Sequence, residues 1–468
     1  MARSSTKSTD PFTAAYLEGM PDSLEGSRTA ERASRQAKTL PGEAIALGGE
    51  LITPQGARKG WVTVVGGEIT AISTRKPANT VALQTDGVIL PGMLDLHGHP
   101  EFNVFAPWEP PKSYVNRYSW RGSKPYQDLV RDPQNLMIPK LPKGTQLRYA
   151  EIRALVGGVT AIQGASRQTQ GSRESMVRNV DGMVFGEHKA RASIDLPTSL
   201  TSRGGPEMKK VLDAIGTGEV TAYYLHLAEG MRDNERSQKE FDLLVKLGAL
   251  TAATVIIHGT ALTRDQLGQA KDAGARLVWS PQSNLRLYGE TTRASDALDV
   301  GLPMALGADW LPSGSLSLLA EMKVARQELA NQGRPVTAKQ LVTMVTSGAA
   351  DVAGLGDKLG SLAVGRAADL VVMGRQDTDG YESVCQSSPA DVELVMIGGD
   401  LVYGRQDWVT GLAADAADPD LEPVIAWGRR MLLDTSYELN PGPDPTPRLS
   451  SIRQSLTKVY PPVGPIWS

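Results

Sequence analysis

Residues 88–99 read VILPGMLDLHGH, a near-continuous apolar run that ends in His97 and His99. Such runs are typical of strands that are buried on both faces, as in parallel sheets. On an extended strand, residues i and i+2 point the same way, so both imidazoles can reach one metal ion. A His-x-His pair alone is more often a structural feature than a metal site, so this pair needs support from elsewhere in the chain.

Three further side chains follow the same pattern. His226 ends EVTAYYLH, His258 ends ATVIIH and Asp309 ends PMALGAD. The chain has 5 histidines, and only His188 does not end such a run. In a barrel of parallel strands, the carboxyl ends of the strands meet at one face, where active sites assemble. These side chains together predict a metal site at that face.

The ligand types narrow the choice of ion. Imidazole nitrogens with one carboxylate suit Zn²⁺ or Fe²⁺, whereas Mg²⁺ and Ca²⁺ prefer oxygen ligands. We therefore expect one divalent transition metal, with Zn²⁺ as the first choice and Fe²⁺ as the alternative. Glu229 stands three residues after His226 in HLAEG. This spacing places a carboxylate near the ion for proton transfer, the alternative being a solvated loop glutamate.

The order of elements predicts an α/β fold. Between residues 88 and 359, short apolar runs alternate with helical patterns, which indicates a (β/α)8 TIM-like barrel. Thr263 with Gln266, and Thr337 with Gln340, are candidate capping boxes at the starts of two helices.

The segments that flank the barrel are rich in strand patterns. Residues 43–87 and 360–410 are predicted to form a small β-sandwich domain into which the barrel is inserted, with a hairpin turn at Gly66-Gly67. Residues 1–42 are expected to form an extended or partly disordered arm. Residues 411–468 hold many prolines and are expected to form a second arm, which wraps the body or a neighbouring subunit.

Composition excludes several classes of function. The 49 basic and 52 acidic residues nearly balance, which gives no indication of a nucleic-acid partner. No apolar stretch is long enough for a membrane helix, and the N-terminus lacks the apolar core of a secretory signal. Cys385 is the only cysteine, so no intrachain disulfide or cysteine–zinc cluster is expected. The sequence predicts a cytoplasmic homo-oligomer that acts on a small-molecule substrate.

The motifs taken in order resemble a known family. LPGMLDLHGHP, HLAEG, IIHG, WSPQSN and ALGAD follow one another as in the amidohydrolase superfamily, and HLAEG resembles its branch of metal-dependent deaminases and triazine hydrolases. The match spans about residues 45–405. The resemblance implies a mononuclear site and assigns Glu229 to proton transfer and His258 to substrate polarisation. It implies four metal ligands: His97, His99, His226 and Asp309.

Two features depart from that pattern. Trp310 follows Asp309 where the family commonly has a small residue, and it either narrows the pocket, stacks on a planar substrate or simply packs in the core. The loop after His99 is long and rich in aromatic residues. Candidate substrate-binding residues are Glu101, Asn103, Trp108 and Trp310, and the loop also carries Tyr114 and Tyr118.

The predicted reaction is hydrolysis of a carbon–nitrogen bond other than a peptide bond. A metal-activated water would attack an electrophilic carbon of a cyclic or heteroaromatic substrate, as in a deaminase or cyclic amidohydrolase. Asp309 or Glu229 would take the proton of the water, His258 would stabilise the developing charge, and Glu229 would protonate the departing nitrogen. The alternatives are a triazine-type chlorohydrolase, a ring-closing cyclodehydratase and, from another class, a non-catalytic scaffold. A scaffold would be expected to lose ligands, and none is missing here.

Overall fold

The computed structural model describes residues 44–142, 144–164, 176–182, 184–197, 205–413, 420–435 and 448–467. The predicted N-terminal arm, residues 1–42, lies outside this range. The described residues form an α/β fold. The helices are Arg117–Arg121, Lys124–Tyr126, Asp132–Met137, Thr145–Val156, Gly205–Gly216, Glu235–Lys246, Arg264–Asp272, Pro281–Tyr288, Ala294–Val300, Leu318–Asn331, Ala338–Val345, Ser347–Val352, Gly380–Gln386, Gln406–Leu412 and Leu449–Val459, with 3-10 turns at Pro100–Phe102 and Pro389–Asp391 and a π-helical turn at Gln127–Arg131.

One large sheet combines strands from both ends of the chain. Its strands are β1 (Ile45–Thr53), β2 (Gly56–Val65), β3 (Glu68–Ser73), β4 (Val81–Pro91), β13 (Leu370–Met373), β14 (Val392–Ile397), β15 (Asp400–Arg405), β16 (Leu421–Ala426) and β17 (Arg429–Asp434). Their order is β16-β17-β15-β14-β13-β4-β1-β2-β3. The antiparallel pairing of β4 with β13 joins the N-terminal and C-terminal halves. The β2–β3 hairpin turns at Gly66-Gly67, as predicted.

The two faces of this sheet contact different cores. Leu90 and Val371 pack into the core that surrounds the helices. Their neighbours Ile89 and Leu370 join a second core, which is built largely from residues of the nine strands themselves. This division follows from the period of two along a strand, because successive side chains point to opposite faces. In the described ranges the strands form one continuous sheet, whereas the sequence predicted a β-sandwich.

Eight further strands are parallel and lie in two sheets. A five-stranded sheet has the order β12-β11-β10-β9-β8, and a three-stranded sheet has the order β5-β6-β7. The strands are β5 (Met93–Asp95), β6 (Val159–Ile162), β7 (Arg178–Asn179), β8 (Ala190–Ser193), β9 (Ala222–Leu227), β10 (Thr254–His258), β11 (Arg276–Trp279) and β12 (Met304–Leu306). Both predicted capping boxes are present at the starts of the helices Arg264–Asp272 and Ala338–Val345.

The two parallel sheets meet beyond the ends of β5 and β12. The backbone N–H of Asp309 donates to the carbonyl oxygen of His97 at 2.8 Å. Gly98 and Asp309 form an isolated parallel bridge at the same place. The first and last parallel strands are thus adjacent, and the residues that follow them come together.

The C-terminal residues are more regular than the predicted arm. Residues 421–434 form the β16–β17 hairpin, which extends the large sheet beyond β15. Buried residues of this hairpin, such as Leu421 and Leu432, belong to the second core. The many prolines of this region favoured an irregular arm over strands in the sequence-based prediction. Farther on, Ile452 and Leu456 of the last helix are buried in the first core. No helix in the described ranges has the length and apolar composition needed to cross a membrane.

Candidate metal centre

Four parallel strands bring the predicted ligands together. His97 and His99 follow β5, His226 lies in β9, His258 ends β10 and Asp309 follows β12. The register of β9 and β10 pairs His226 with Ile257, so His226 and His258 lie on adjacent strands one position apart. The strand ends therefore place the side chains as the barrel pattern predicts.

His97 lies at the centre of the cluster. Its ring centroid is 4.8 Å from that of His226, 4.9 Å from that of His258 and 5.1 Å from that of His99. Asp309 Oδ1 lies 3.1 Å from His97 Nε2 and 3.6 Å from His99 Nε2. These distances are short enough for one ion to be shared by imidazole and carboxylate ligands.

The donor atoms form three overlapping groups, and within each group they lie within 4.8 Å of one another. The groups are His97–His99–His226, His97–His258–Asp309 and His226–Glu229–His258. Nitrogen and carboxylate donors at this spacing fit a divalent transition metal such as zinc. The sulfur of the free, buried Cys385 belongs to none of these groups.

Burial controls the charge of these side chains. The three groups contain six different residues, and each of these side chains is at most 5% exposed. Burial and the neighbouring histidines lower the pKa of His99 and of His226 well below its usual range, so both imidazoles are neutral and able to bind a metal. Burial opposes ionisation of Asp309, but the charge and hydrogen bond of His97 outweigh it and lower the pKa of that carboxyl. The carboxyl of Asp309 is therefore anionic.

His258 is held by groups from the segment that follows β11. Asn284 Nδ2 lies 2.9 Å from His258 Nδ1, and Thr292 Oγ1 donates to the His258 carbonyl oxygen at 2.6 Å. Burial lowers the pKa of His258 to about 3. The imidazole is thus neutral, and its Nε2 lies 3.8 Å from Glu229 Oε2.

Glu229 is a buried residue and not a solvated loop glutamate. Tyr288 donates a hydrogen bond to Glu229 Oε1 at 2.5 Å, and Trp120 Nε1 donates to the Tyr288 hydroxyl at 2.9 Å. Burial raises the pKa of Glu229, although Arg117 and the hydrogen bond from Tyr288 oppose the rise. A carboxyl in this environment holds a proton more readily than an exposed glutamate does.

The backbone at the centre adopts conformations that are uncommon outside glycine. Ala228, His258 and Asp309 have φ values of 51°, 66° and 59°. Such residues cluster at functional sites, where surrounding contacts hold them in place. Ala228 is held by Glu240, whose Oε2 accepts its backbone N–H at 2.8 Å.

The candidate substrate-binding residues lie in the segments that follow His99 and Asp309, and their side chains have different surroundings. Trp310 packs in an aromatic cluster, 5.6 Å from Phe102 and 5.4 Å from Trp120 between ring centroids. Asn103 Oδ1 accepts the backbone N–H of Leu311 at 2.8 Å, so it holds the loop after Asp309. Trp108 and Glu101 are both 4% exposed. Their contact with substrate stays a prediction.

Four residues of the site's surroundings were not singled out from the sequence. Asp95 accepts the backbone N–H of Ala308 at 2.9 Å and, because it is buried, its pKa is raised to about 7. Asn284, Tyr288 and Trp120 hold the catalytic candidates, as described above. The WSPQSN motif contains Asn284, but no feature of the sequence pairs it with His258. His188, the fifth histidine, lies apart, and its Nε2 is 2.7 Å from the carbonyl oxygen of Asp181.

Comparison with known proteins agrees with this geometry. Residues 190–402 match the model of the amidohydrolase family. This region is similar to the amidohydrolase family. It contains His226, Glu229, His258 and Asp309, and the fold adds His97 and His99 from outside the matched range. This similarity and the deaminase relatives confirm the predicted enzyme class, a hydrolase that acts on carbon–nitrogen bonds other than peptide bonds.

Proteins similar to this chain include deaminases and a chlorohydrolase. A 5-methylthioadenosine/S-adenosylhomocysteine deaminase from Teredinibacter turnerae is 23% identical over 321 residues, 62% of this chain and 73% of the relative. An adenosine deaminase from Xanthomonas campestris with bound zinc aligns with a TM-score of 0.60 at 17% identity, covering 76% of this chain and 92% of that one. Atrazine chlorohydrolase from Arthrobacter aurescens with zinc gives 0.60 at 17% identity, covering 76% and 95%. The two structural likenesses establish the shared α/β fold.

Proposed function

We propose that this protein is a zinc-dependent deaminase of small aminated heteroaromatic compounds. The observation that carries the proposal is the position of Glu229, a buried carboxyl whose Oε2 lies 3.8 Å from His258 Nε2 in the same cluster as His226. Curated relatives named as deaminases of adenosine derivatives support the same chemistry.

The donor set suits the proposed cofactor. Three imidazoles and the anionic Asp309 would hold one divalent ion, with zinc as the first choice because nitrogen donors dominate. When bound, such an ion would lower the pKa of a water molecule and so supply a nucleophile near neutral pH. His97, His99, His226 and Asp309 would be its ligands.

The remaining residues would handle protons and charge. Asp309 or Glu229 would accept a proton from the attacking water, while the N–H of His258 Nε2 stabilises negative charge that develops on the substrate ring. Glu229 would then deliver the proton to the departing nitrogen. A carbon–oxygen bond forms, the carbon–nitrogen bond breaks, and ammonia leaves.

The proton on Glu229 is what favours a deaminase over a chlorohydrolase. An amino group is a poor leaving group until it is protonated, whereas chloride leaves without a proton. The raised pKa of Glu229 is suited to supplying that proton. Chlorotriazine hydrolysis stays the second candidate, because atrazine chlorohydrolase shares the fold.

A substrate panel tests the assignment. The zinc-loaded protein is incubated with aminated purines and pyrimidines, with chlorinated triazines and with cyclic amides, and the release of ammonia, of chloride or of a ring-opened product is measured. We expect ammonia from aminated heterocycles. Chloride alone would support the second candidate, and ring opening alone would support a cyclic amidohydrolase.

We also infer that the eight parallel strands form a closed (β/α)8 barrel. Support comes from one buried core that collects side chains from these strands, among them Leu94, Ala161, Ala190, Tyr224 and Ala305. A cytoplasmic location and a homo-oligomer remain predictions, and size-exclusion chromatography with light scattering would measure the second.

A further inference from the structure

The helix Pro281–Tyr288 contacts both proton-handling residues of the site. Asn284 and Tyr288 are four residues apart, which places them on one face of the helix. Asn284 contacts the ring of His258, and Tyr288 contacts the carboxyl of Glu229. The question is which atom in each pair carries the hydrogen.

A hydrogen-bond chain answers this for His258. Trp279 Nε1 donates to Thr291 Oγ1 at 2.8 Å, and Thr291 Oγ1 donates to Asn284 Oδ1 at 3.2 Å. An indole N–H can only donate, so the Thr291 hydroxyl is the acceptor at that end and its own hydrogen points to Asn284. The amide oxygen of Asn284 is thereby engaged.

The amide nitrogen of Asn284 must then face the ring, where it donates to Nδ1 of His258. A neutral imidazole with an acceptor at Nδ1 carries its hydrogen on Nε2. This is the nitrogen that lies 3.8 Å from Glu229 Oε2. The N–H of His258 therefore faces the reaction site and not the protein.

A second hydrogen-bond chain determines the hydrogen positions at Glu229 by the same argument. Trp120 Nε1 donates to the Tyr288 hydroxyl, so the single hydrogen of that hydroxyl is available for Glu229 Oε1. Oε1 is then an acceptor, which favours Oε2 as the oxygen that carries a proton on the carboxyl. Oε2 is the oxygen that faces His258.

We propose that Asn284 and Tyr288 are positioning residues that fix the hydrogen pattern of the site, with the hydrogen of His258 on Nε2 and the transferable proton of Glu229 on Oε2. This rests on the proposed deaminase function for its catalytic meaning, but not for its test. Each chain begins at a tryptophan, whose N–H sets the direction of every hydrogen bond that follows.

The first experiment reads the hydrogen position directly. Two-bond nitrogen–proton NMR spectra of the ¹⁵N-histidine-labelled, zinc-loaded protein distinguish the two tautomers, and the chain has only 5 histidines. We expect His258, identified by the signals missing in His258→Gln, to carry its hydrogen on Nε2. A hydrogen on Nδ1 would overturn the inference, whatever the protein is found to catalyse.

The second experiment uses two substitutions at one position. Asn284→Asp keeps the shape but presents only acceptors, so it moves the hydrogen of His258 to Nδ1, whereas Asn284→Ala merely removes the donor. We expect kcat to fall in Asn284→Asp by up to roughly 10⁴-fold, the effect of a wrong tautomer, and to fall less in Asn284→Ala. A purely structural role predicts the reverse order, because aspartate fits the space of asparagine, and that order would overturn the inference.

Tyr288→Phe tests the second chain, with Tyr403→Phe as the matched control. Tyr403 is a buried tyrosine of β15 in the large sheet. We expect kcat of Tyr288→Phe to fall roughly tenfold to a hundredfold, the effect of one hydrogen bond to a charged group, with KM and zinc content unchanged. Equal kcat values in Tyr288→Phe and Tyr403→Phe would overturn the role of Tyr288. If wild-type protein released no ammonia from any substrate, the proposed function would fail while the NMR result still decided the inference.

Discussion

Asn284 and Tyr288 lie one helical turn apart, and each makes a hydrogen bond to a different catalytic candidate, His258 or Glu229. The helix that carries them follows β11, a strand that supplies none of the proposed metal ligands. The site is thus assembled in two layers. Strand ends supply the side chains that would bind the metal, and one helix orients the side chains that would move protons.

Replacement of His226 tests the metal centre. His226→Ala removes one of the proposed ligands, so we expect the protein to lose bound zinc and all measurable hydrolysis. Metal content is measured by plasma emission after dialysis. His188→Ala is the matched control, because His188 lies apart from the cluster and contacts the carbonyl oxygen of Asp181. Full zinc content and activity in His226→Ala would refute the ligand assignment.

Replacement of Glu229 separates metal binding from catalysis. Glu229→Gln keeps the size and the hydrogen bond from Tyr288 but cannot shuttle a proton. We expect zinc content to stay at the wild-type level while kcat falls about 10²- to 10⁴-fold, the usual effect of losing a general acid–base group. Glu235→Gln, at an exposed position, should leave kcat unchanged. The proton-transfer role would be wrong if Glu229→Gln had wild-type kcat on an amine substrate.

Gly307 follows strand β12 and lies close to the backbone of His97. A Cβ atom at this position would lie 2.5 Å from His97 Cβ and 2.6 Å from His97 N, so the backbone of one strand must move. We expect Gly307→Ala to lower the free energy of unfolding by about 1–3 kcal/mol, the usual effect of overpacking, and to weaken zinc binding. Chemical denaturation and zinc titration measure the two effects.

The matched control is another glycine with free space around it. Gly268 lies in the helix Arg264–Asp272, and a Cβ there would meet no atom within 4 Å. Gly268→Ala should be neutral or stabilising, since alanine is favoured over glycine in helices by about 1 kcal/mol. Equal stabilities of the two variants would show that the backbone near His97 moves at little cost in free energy.

The clustering of these side chains could be predicted from the sequence because periodicity and strand ends are local features. His226, His258 and Asp309 each end an apolar run, and parallel strands bring such ends together regardless of the loops between them. The capping boxes are also local, because Thr263 and Gln266 are only three residues apart.

The orienting residues depend on contacts between distant parts of the chain. Trp120 and Tyr288 are 168 residues apart, and Asn284 is 26 residues from His258. Each belongs to a segment whose pattern fits ordinary packing. Only the three-dimensional arrangement shows that these side chains meet Glu229 and His258.

Buried Glu321 provides a test of pH dependence outside the ligand set. Its Oε1 accepts the backbone N–H of Gln282 at 3.0 Å, and burial raises its pKa from 4.5 to about 8. The folded state therefore holds this proton more tightly than the unfolded state does. The resulting stabilisation is complete below about pH 4.5 and is lost as the pH rises towards 8.

Glu321→Gln should remove this contribution, since glutamine stays neutral at every pH. We expect the melting temperature of the variant to fall less than that of the wild type between pH 5 and pH 9. Calorimetry in zinc-free buffer, at steps of about half a pH unit, measures both curves. Other buried acids, such as Asp95, titrate in both proteins, so the difference between the two curves isolates Glu321. Glu328→Gln, on the same helix, should reproduce the wild-type curve. If the curves of melting temperature against pH for Glu321→Gln and the wild type were parallel, Glu321 would be ionised in the folded protein. Its buried environment would then have to contain a positively charged partner.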